Sequence, residues 1–329
     1  MDWFLGVLLV LAGGSMQGSW TLPMKFTRGW SWERTWLLYS VLAMVVFPWL
    51  LVWLLVPEAG AVYASAGAGV VARAALFGAG WGFGSVLFGL GVAQVGMALG
   101  FAVIISLTAA VGSVAPMAIQ QPEKLASSQG LTLMGGLAAV IVGIILCAKA
   151  GALKETATRG QGLARGLAIC IVSGLTSPMM NFAFSFGKSI QDEAARRGAE
   201  AAVASIAVLA VAVSAGFVLN AGYCLLLLAR NRSWPSDAPA FRYTVFAAIM
   251  ALLWLVGMFC YGMGASKLGE AGTSVGWALF MTIIVLVANV WGLVTGEWKG
   301  APRRVFGYLG AGLGVLIAAL VVIAGGAKG

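Results

Sequence analysis

Ten apolar runs of about twenty residues, parted by short polar connectors, follow one another along this 329-residue chain. By number they are 3–22, 35–56, 70–92, 97–119, 131–150, 166–188, 203–229, 243–265, 273–294 and 305–324. At a rise of about 1.5 Å per residue, each run as a helix spans the roughly 30 Å hydrocarbon core of a bilayer. A backbone in lipid must satisfy its own hydrogen bonds, as a helix or in a closed barrel. Barrel strands would alternate polar and apolar residues over about 10 positions, so unbroken runs select helices. The expected fold class is an all-α membrane protein with ten transmembrane helices.

Composition closes the aqueous alternative. Hydrophobic residues make up 61% of the chain and charged residues 9%, against about 25% charged in a soluble domain. The 46 glycines suit backbone-to-backbone packing of membrane helices, and Gly14/Gly18, Gly78/Gly82 and Gly80/Gly84 form small-xxx-small faces. Cys147, Cys170, Cys224 and Cys260 lie within apolar runs, lack metal-ligand spacing and are joined by no histidine. They read as small buried hydrophobes. The formal charge of +9 is scattered over connectors rather than gathered in a patch, so nucleic acid is not an expected partner. Neither a metal nor another cofactor is expected.

The first run is preceded only by Met1 and Asp2, without the basic segment of a signal peptide, and is read as a retained helix. Of the 20 Lys and Arg residues, 13 fall in the connectors after runs 1, 3, 5, 7 and 9 or, like Lys149, within two residues of them. By the positive-inside tendency that side is cytoplasmic, which puts both termini in the periplasm. The connector 151–165 is polar and basic and divides five runs from five. The chain therefore divides into a first five-helix repeat (1–150), a cytoplasmic linker (151–165) and a second five-helix repeat (166–329). An odd number of runs per half turns the second half upside down relative to the first.

The two halves carry a common pattern. Trp81, Gly84, Phe88, Gly89, Gly91, Gly96 and Ala98 recur 173 residues later as Trp254, Gly257, Tyr261, Gly262, Gly264, Gly269 and Ala271. A fainter echo at an offset of 160 relates Gly6 to Gly166 and Gly14 to Gly174. Two inverted repeats predict a central site at the bilayer midplane, opened alternately to either side. That is the plan of a secondary transporter.

Which residues could line the site follows from what the runs contain. Each of the eleven Asp and Glu residues lies in or near a connector. Charge at the bilayer centre is costly and is kept there for use, so the lack of a midspan carboxylate favours a neutral substrate. Hydroxyls, amides and indoles remain. Gln17, Trp20, Trp81, Asn181, Trp254 and Trp277 lie deepest or within the repeated helices, and they are the substrate-binding candidates. Amides can donate to and accept from hydroxyls, while an indole face suits the C–H face of a sugar ring. Glu33, near Arg28 and Arg34, and Glu270, beside Lys267 in a tight turn, are the proton-coupling candidates. Partial burial would raise a carboxyl's proton affinity. A membrane enzyme would need a reactive constellation, and the chain offers no nucleophile with a histidine partner, so an enzyme is not expected.

Several motifs together are similar to a known family. They are Trp30-Ser31-Trp32-Glu33, Phe47-Pro48-Trp49, the segment 76–84 with Phe88-Gly89-Leu90, Lys154-Glu155, and Glu297-Trp298 followed by Ala301-Pro302-Arg303-Arg304. The chain resembles the bacterial L-rhamnose/proton symporters of the drug/metabolite transporter superfamily, over essentially all ten runs. The resemblance implies multi-pass insertion in the bacterial inner membrane and uptake of a 6-deoxyhexose, L-rhamnose, with a proton. The chain departs from the enterobacterial-type pattern at the start of the ninth run, where Gly272 to Gly276 stand in place of tyrosines and a carboxylate. The alternative is a transporter or facilitator of another small neutral sugar or metabolite, with sodium coupling or none. The sequence leaves the oligomeric state open.

Overall fold

The computed structural model describes residues 2–27, 29–95, 97–154, 163–200, 203–234, 240–270 and 272–326, with backbone alone for Lys25, Met97 and Ala98. Ten helical spans among them are long and apolar enough to cross a membrane, and the described residues contain no strand. In chain order the helices are α1 (Asp2–Ser19), α2 (Trp32–Val41), α3 (Phe47–Leu55), α4 (Ala59–Ala66), α5 (Ala68–Val95), α6 (Met97–Gln120), α7 (Ser128–Lys154), α8 (Leu163–Thr176), α9 (Met179–Phe186), α10 (Lys188–Arg196), α11 (Ser205–Asn231), α12 (Ala240–Lys267), α13 (Gly272–Val294) and α14 (Arg303–Gly326).

The ten apolar runs coincide with the ten spans to within a few residues at most ends, but two spans are not single helices. Between α2 and α3 the chain widens into a π segment, Leu42–Val46. Pro48 brings no N–H for a carbonyl one turn earlier, and the wider turn absorbs the misfit. The sixth run, expected as one helix over 166–188, is broken into α8, α9 and α10. Pro178, which brings no N–H to continue the ladder, stands between α8 and α9 and caps α9; Gly187 separates α9 from α10.

α1 lies along α12 and α13, and α8 lies along α5 and α6. α5 also packs on α11, and α12 on α2. α6 meets α13 in the middle, while α7 pairs with α14. With α2–α3 counted as span 2 and α8–α10 as span 6, these contacts survive an exchange of spans 1–5 with spans 6–10. The pair 1·8 becomes 6·3, 1·9 becomes 6·4, and 3·7 becomes 8·2.

All three small-residue faces are used within the chain. Gly78 and Gly82 meet Ala212 and Gly216 of α11; a Cβ at Gly82 would stand 2.6 Å from the Gly216 Cα. Gly14 and Gly18 seat Ile283 and Val287 of α13, and Gly80 and Gly84 take Met179 and Thr176 beside the Pro178 break. The four cysteines are buried and unpaired, and Tyr39, Tyr261 and Phe280 are the largest wholly buried side chains among the described residues. Phe4, Trp53, Leu76, Leu226 and Val321 point outward, as residues facing lipid tails do.

Candidate functional site

A cavity of about 140 Å³ opens where α1, α5, α6, α9, α12 and α13 converge. Gln17, Trp81, Trp254 and Trp277 line it, with Thr108 and Ser177 as further polar groups and Met180, Met258 and Met281 among the apolar ones. Among the described residues, no charged side chain is in its wall. The volume is below the roughly 300–1,000 Å³ of pockets for drug-sized molecules, which limits the occupant to about the size of one sugar ring.

Helix geometry decides what each wall residue can offer. Gln17, near the C-terminal end of α1, is buried and its Nε2 donates to the Trp254 carbonyl at 2.9 Å. That bond fixes the amide and leaves Oε1 as an acceptor. Trp277 gives its indole N–H to the Thr108 carbonyl at 2.9 Å, so it presents a ring face rather than a donor. Trp81 and Trp254 meet each other with centroids 5.3 Å apart. Thr108 turns its hydroxyl back to the Ile104 carbonyl at 2.7 Å, keeping only acceptor capacity.

The wall is built from positions that the two sequence offsets relate. Trp81 and Trp254, Ile104 and Trp277, and Thr108 and Met281 differ by 173, while Gln17 and Ser177 differ by 160. The helix crossings behind the wall follow the same rule. Gly257 packs on Gly13 and Gln17, and Gly84 packs on Ser177 and accepts the Ser173 hydroxyl at 2.9 Å. Gly264 packs on Val10 as Gly91 packs on Cys170, and Gly14 meets Phe280 as Gly174 meets Leu107. Gly96 and Ala271, two members of the longer pattern, and the side chain of Ala98 lie outside the described residues.

Two of the six substrate candidates stand elsewhere. Trp20 stacks on Tyr39 with centroids 4.8 Å apart and leans on Trp36 at 5.3 Å, in an aromatic column that continues to Trp32. Asn181 is wholly buried. Its Nδ2 donates to the carbonyls of Gly112 (2.8 Å) and Thr273 (3.1 Å), and its Oδ1 accepts the Tyr261 hydroxyl. It ties α6, α9, α12 and α13 together, with its Nδ2 committed to backbone carbonyls. The three methionines were not singled out from sequence, because an isolated Met in an apolar run carries no positional signal. The offset could have found one, since Met281 is the equivalent of Thr108.

The two proton-coupling candidates differ sharply. Glu33, 6% exposed in the first turn of α2, accepts from Ser233 and from Asn231 Nδ2 at 3.2 Å. Arg34 does not pair with it: its guanidinium lies over the Trp30 ring at 4.3 Å and donates to the Trp234 carbonyl at 3.1 Å. Arg28 lies outside the described residues. Glu270 is not partly buried. Its side chain is 77% exposed and pairs with Lys124 at 2.7 Å, while Lys267 turns to Asp2. The Lys124 ammonium holds the Glu270 carboxyl below the usual carboxylate range. The stabilisation from a lowered carboxyl is present above the unfolded-state value and is lost as pH falls through the folded-state value. Glu270 is therefore an ionised surface group at neutral pH.

Comparison with known proteins bears on all of this. A family model described as L-rhamnose-proton symport protein matches residues 2–328. The L-rhamnose-proton symporter of Klebsiella pneumoniae subsp. pneumoniae is 31% identical over 336 residues, covering 97% of this chain and 96% of its own. The protein of the same name from Mannheimia succiniciproducens is 29% identical over 313 residues, 91% of each chain. That from Escherichia coli O17:K52:H18 is 29% identical over 336 residues, 97% of this chain and 96% of its own.

Proposed function

Since the chain belongs to the family of L-rhamnose-proton symport proteins, we propose that it carries L-rhamnose across the bacterial inner membrane together with a proton, by alternating access. The observation that carries the reading is the cavity, walled by pairs of residues that the offsets of 160 and 173 relate. A site on the pseudo-two-fold axis of two inverted five-helix repeats would have such walls. The contacts preserved when spans 1–5 exchange with spans 6–10 support the same division, 1–150 and 166–329 about the linker 151–165. The excess of basic residues in the odd connectors supports periplasmic termini.

The chemistry of the wall suits a 6-deoxyhexose. Gln17 Oε1, the Ser177 hydroxyl and the indole N–H groups of Trp81 and Trp254 can meet ring hydroxyls. Met180, Met258 and Met281 supply adaptable apolar surface for the methyl that replaces a hydroxymethyl group. Sugar and proton couple when each binds one conformation preferentially and both bias the same equilibrium.

Of the two carboxylates, Glu33 is the better placed to carry the proton. In this conformation Ser233 and Asn231, at the end of α11, point donors at it. If rocking of the halves parts α2 from α11, the buried carboxylate loses both donors and must take up a proton to stay buried. Glu270, exposed and paired with Lys124, serves as a surface tie between the 4–5 and 8–9 connectors.

Purified protein in liposomes, given radiolabelled L-rhamnose with an inward proton gradient, a sodium gradient or none, tests the reading. Accumulation is expected under the proton gradient alone. Glu33→Gln should abolish accumulation while leaving sugar counterflow, and Glu270→Gln should retain both. No uptake by folded protein under any gradient would remove the rhamnose assignment; accumulation by Glu33→Gln would acquit that carboxylate.

A further inference from the structure

A second cavity, about 180 Å³, adjoins the central one and shares Ile105 with it. From Met281 and Ile284 in the central wall, α13 continues through Val285, Asn289 and Gly292 into this second wall. The direction is toward the connectors rich in Lys and Arg. Two sequence motifs that the transport reading leaves unused meet here: Lys154 closes α7, and Glu297 and Trp298 follow α13. All three line the cavity.

Several polar groups face one another across this cavity. Lys154 Nζ stands 5.3 Å from the centroid of the Trp298 ring, within reach of a cation–π contact. The ring lies against Gly292, where a Cβ would come within 2.8 Å of Trp298 Nε1. That Nε1 is buried and has no hydrogen-bond partner among the described residues. An unsatisfied buried donor is costly, and a ligand hydroxyl that reached it would recover that cost. Asn289 donates its Nδ2 to the Val285 carbonyl at 2.8 Å, leaving Oδ1 as an acceptor. An unused donor, an amide acceptor, a carboxylate and an ammonium within one small cavity suit a neutral polyhydroxylated ring better than an ion, since Lys154 and Glu297 balance each other in charge.

We infer that this vestibule is a second binding site for the transported sugar, occupied after the central cavity and before release to the cytoplasm. The inference rests on the transport reading. Sugar passes from one site to the other by way of Ile105, and the vestibule holds it through Trp298 and Asn289 while the central cavity is free to reset.

Equilibrium dialysis of the purified full chain against radiolabelled L-rhamnose, carried to saturation, counts the sites. The wild type is expected to bind two sugars per chain. Trp298→Phe, which keeps the ring and loses the N–H, and Asn289→Leu should each reduce this to one, with the central affinity unchanged as the sign that the fold is intact. Gln17→Leu should retain the vestibule site. One sugar per wild-type chain overturns the inference and leaves the transport reading standing. Two sugars unaffected by both vestibule variants also overturn it. No binding to the folded wild type would instead remove the rhamnose reading on which it rests.

Discussion

Gly78→Val is expected to leave little of the chain correctly packed. A first side-chain carbon at Gly78 would overlap the backbone carbonyl of Ala212, so the obstacle is main chain and has no rotamer to yield. α5 and α11 pack along one another over much of their length, and membrane helices associate largely through such close packing. Overpacking a core generally costs about 1–3 kcal/mol, and more where nothing can move. At about 2–4 °C per kcal/mol, a loss of about 3 kcal/mol lowers the unfolding temperature by roughly 6–12 °C. Gly89→Val is the control. It lies on the same helix, has nothing within 4 Å of a built Cβ, and carries the same propensity change. Fluorescence-detected thermal unfolding of both variants in detergent decides the matter: equal melting would mean that α5 and α11 do not pack as described.

Gln17→Leu should raise the KM for L-rhamnose by roughly 10- to 100-fold with the yield of folded protein preserved. Two magnitudes separate these effects. The Gln17–Trp254 bond is a side-chain hydrogen bond inside a membrane protein, worth on average about 0.6 kcal/mol to folding. A sugar hydroxyl left without a partner in a closed site costs about 1–3 kcal/mol, and each 1.4 kcal/mol is a factor of about ten in affinity. Uptake kinetics in liposomes, with thermal unfolding measured on the same preparation, read the two separately. An unchanged KM would show that the sugar binds elsewhere than the cavity between Trp81 and Trp254.

Both expectations concern features that the sequence marks only partly. Gly78/Gly82 is visible as a small-residue face, but three such faces occur and nothing in the spacing says which helix each will meet. The amide of Gln17 is visible as a polar group in an apolar run, and its depth made it a candidate. Trp20, three residues on, has the same claim from sequence, yet the structure turns it into the aromatic column with Trp36 and Tyr39. Three residues are less than one helical turn, and past Ser19 the chain has left α1. Asn181 stands outside the cavity wall for another reason. A buried amide signals a polar demand, but only the neighbouring carbonyls of Gly112 and Thr273 reveal that the demand is met within the protein.

The ten spans and the expectation of a neutral substrate were legible in the sequence alone, because lipid enforces helices on every long apolar run and penalises every midspan charge. The offsets of 160 and 173 were likewise legible as residue identities. Which positions touch was decided by the tertiary structure: helices pack through faces chosen by small differences in side-chain volume between distant segments, and local pattern does not record their partners. So Trp81 came to face Trp254, Met281 and Thr108 came to share one cavity, and Lys154 came to stand over Trp298. The sixth run was read as one helix, and both its break at Pro178 and the opening of that break onto the cavity through Ser177 and Met180 became evident only from the structure.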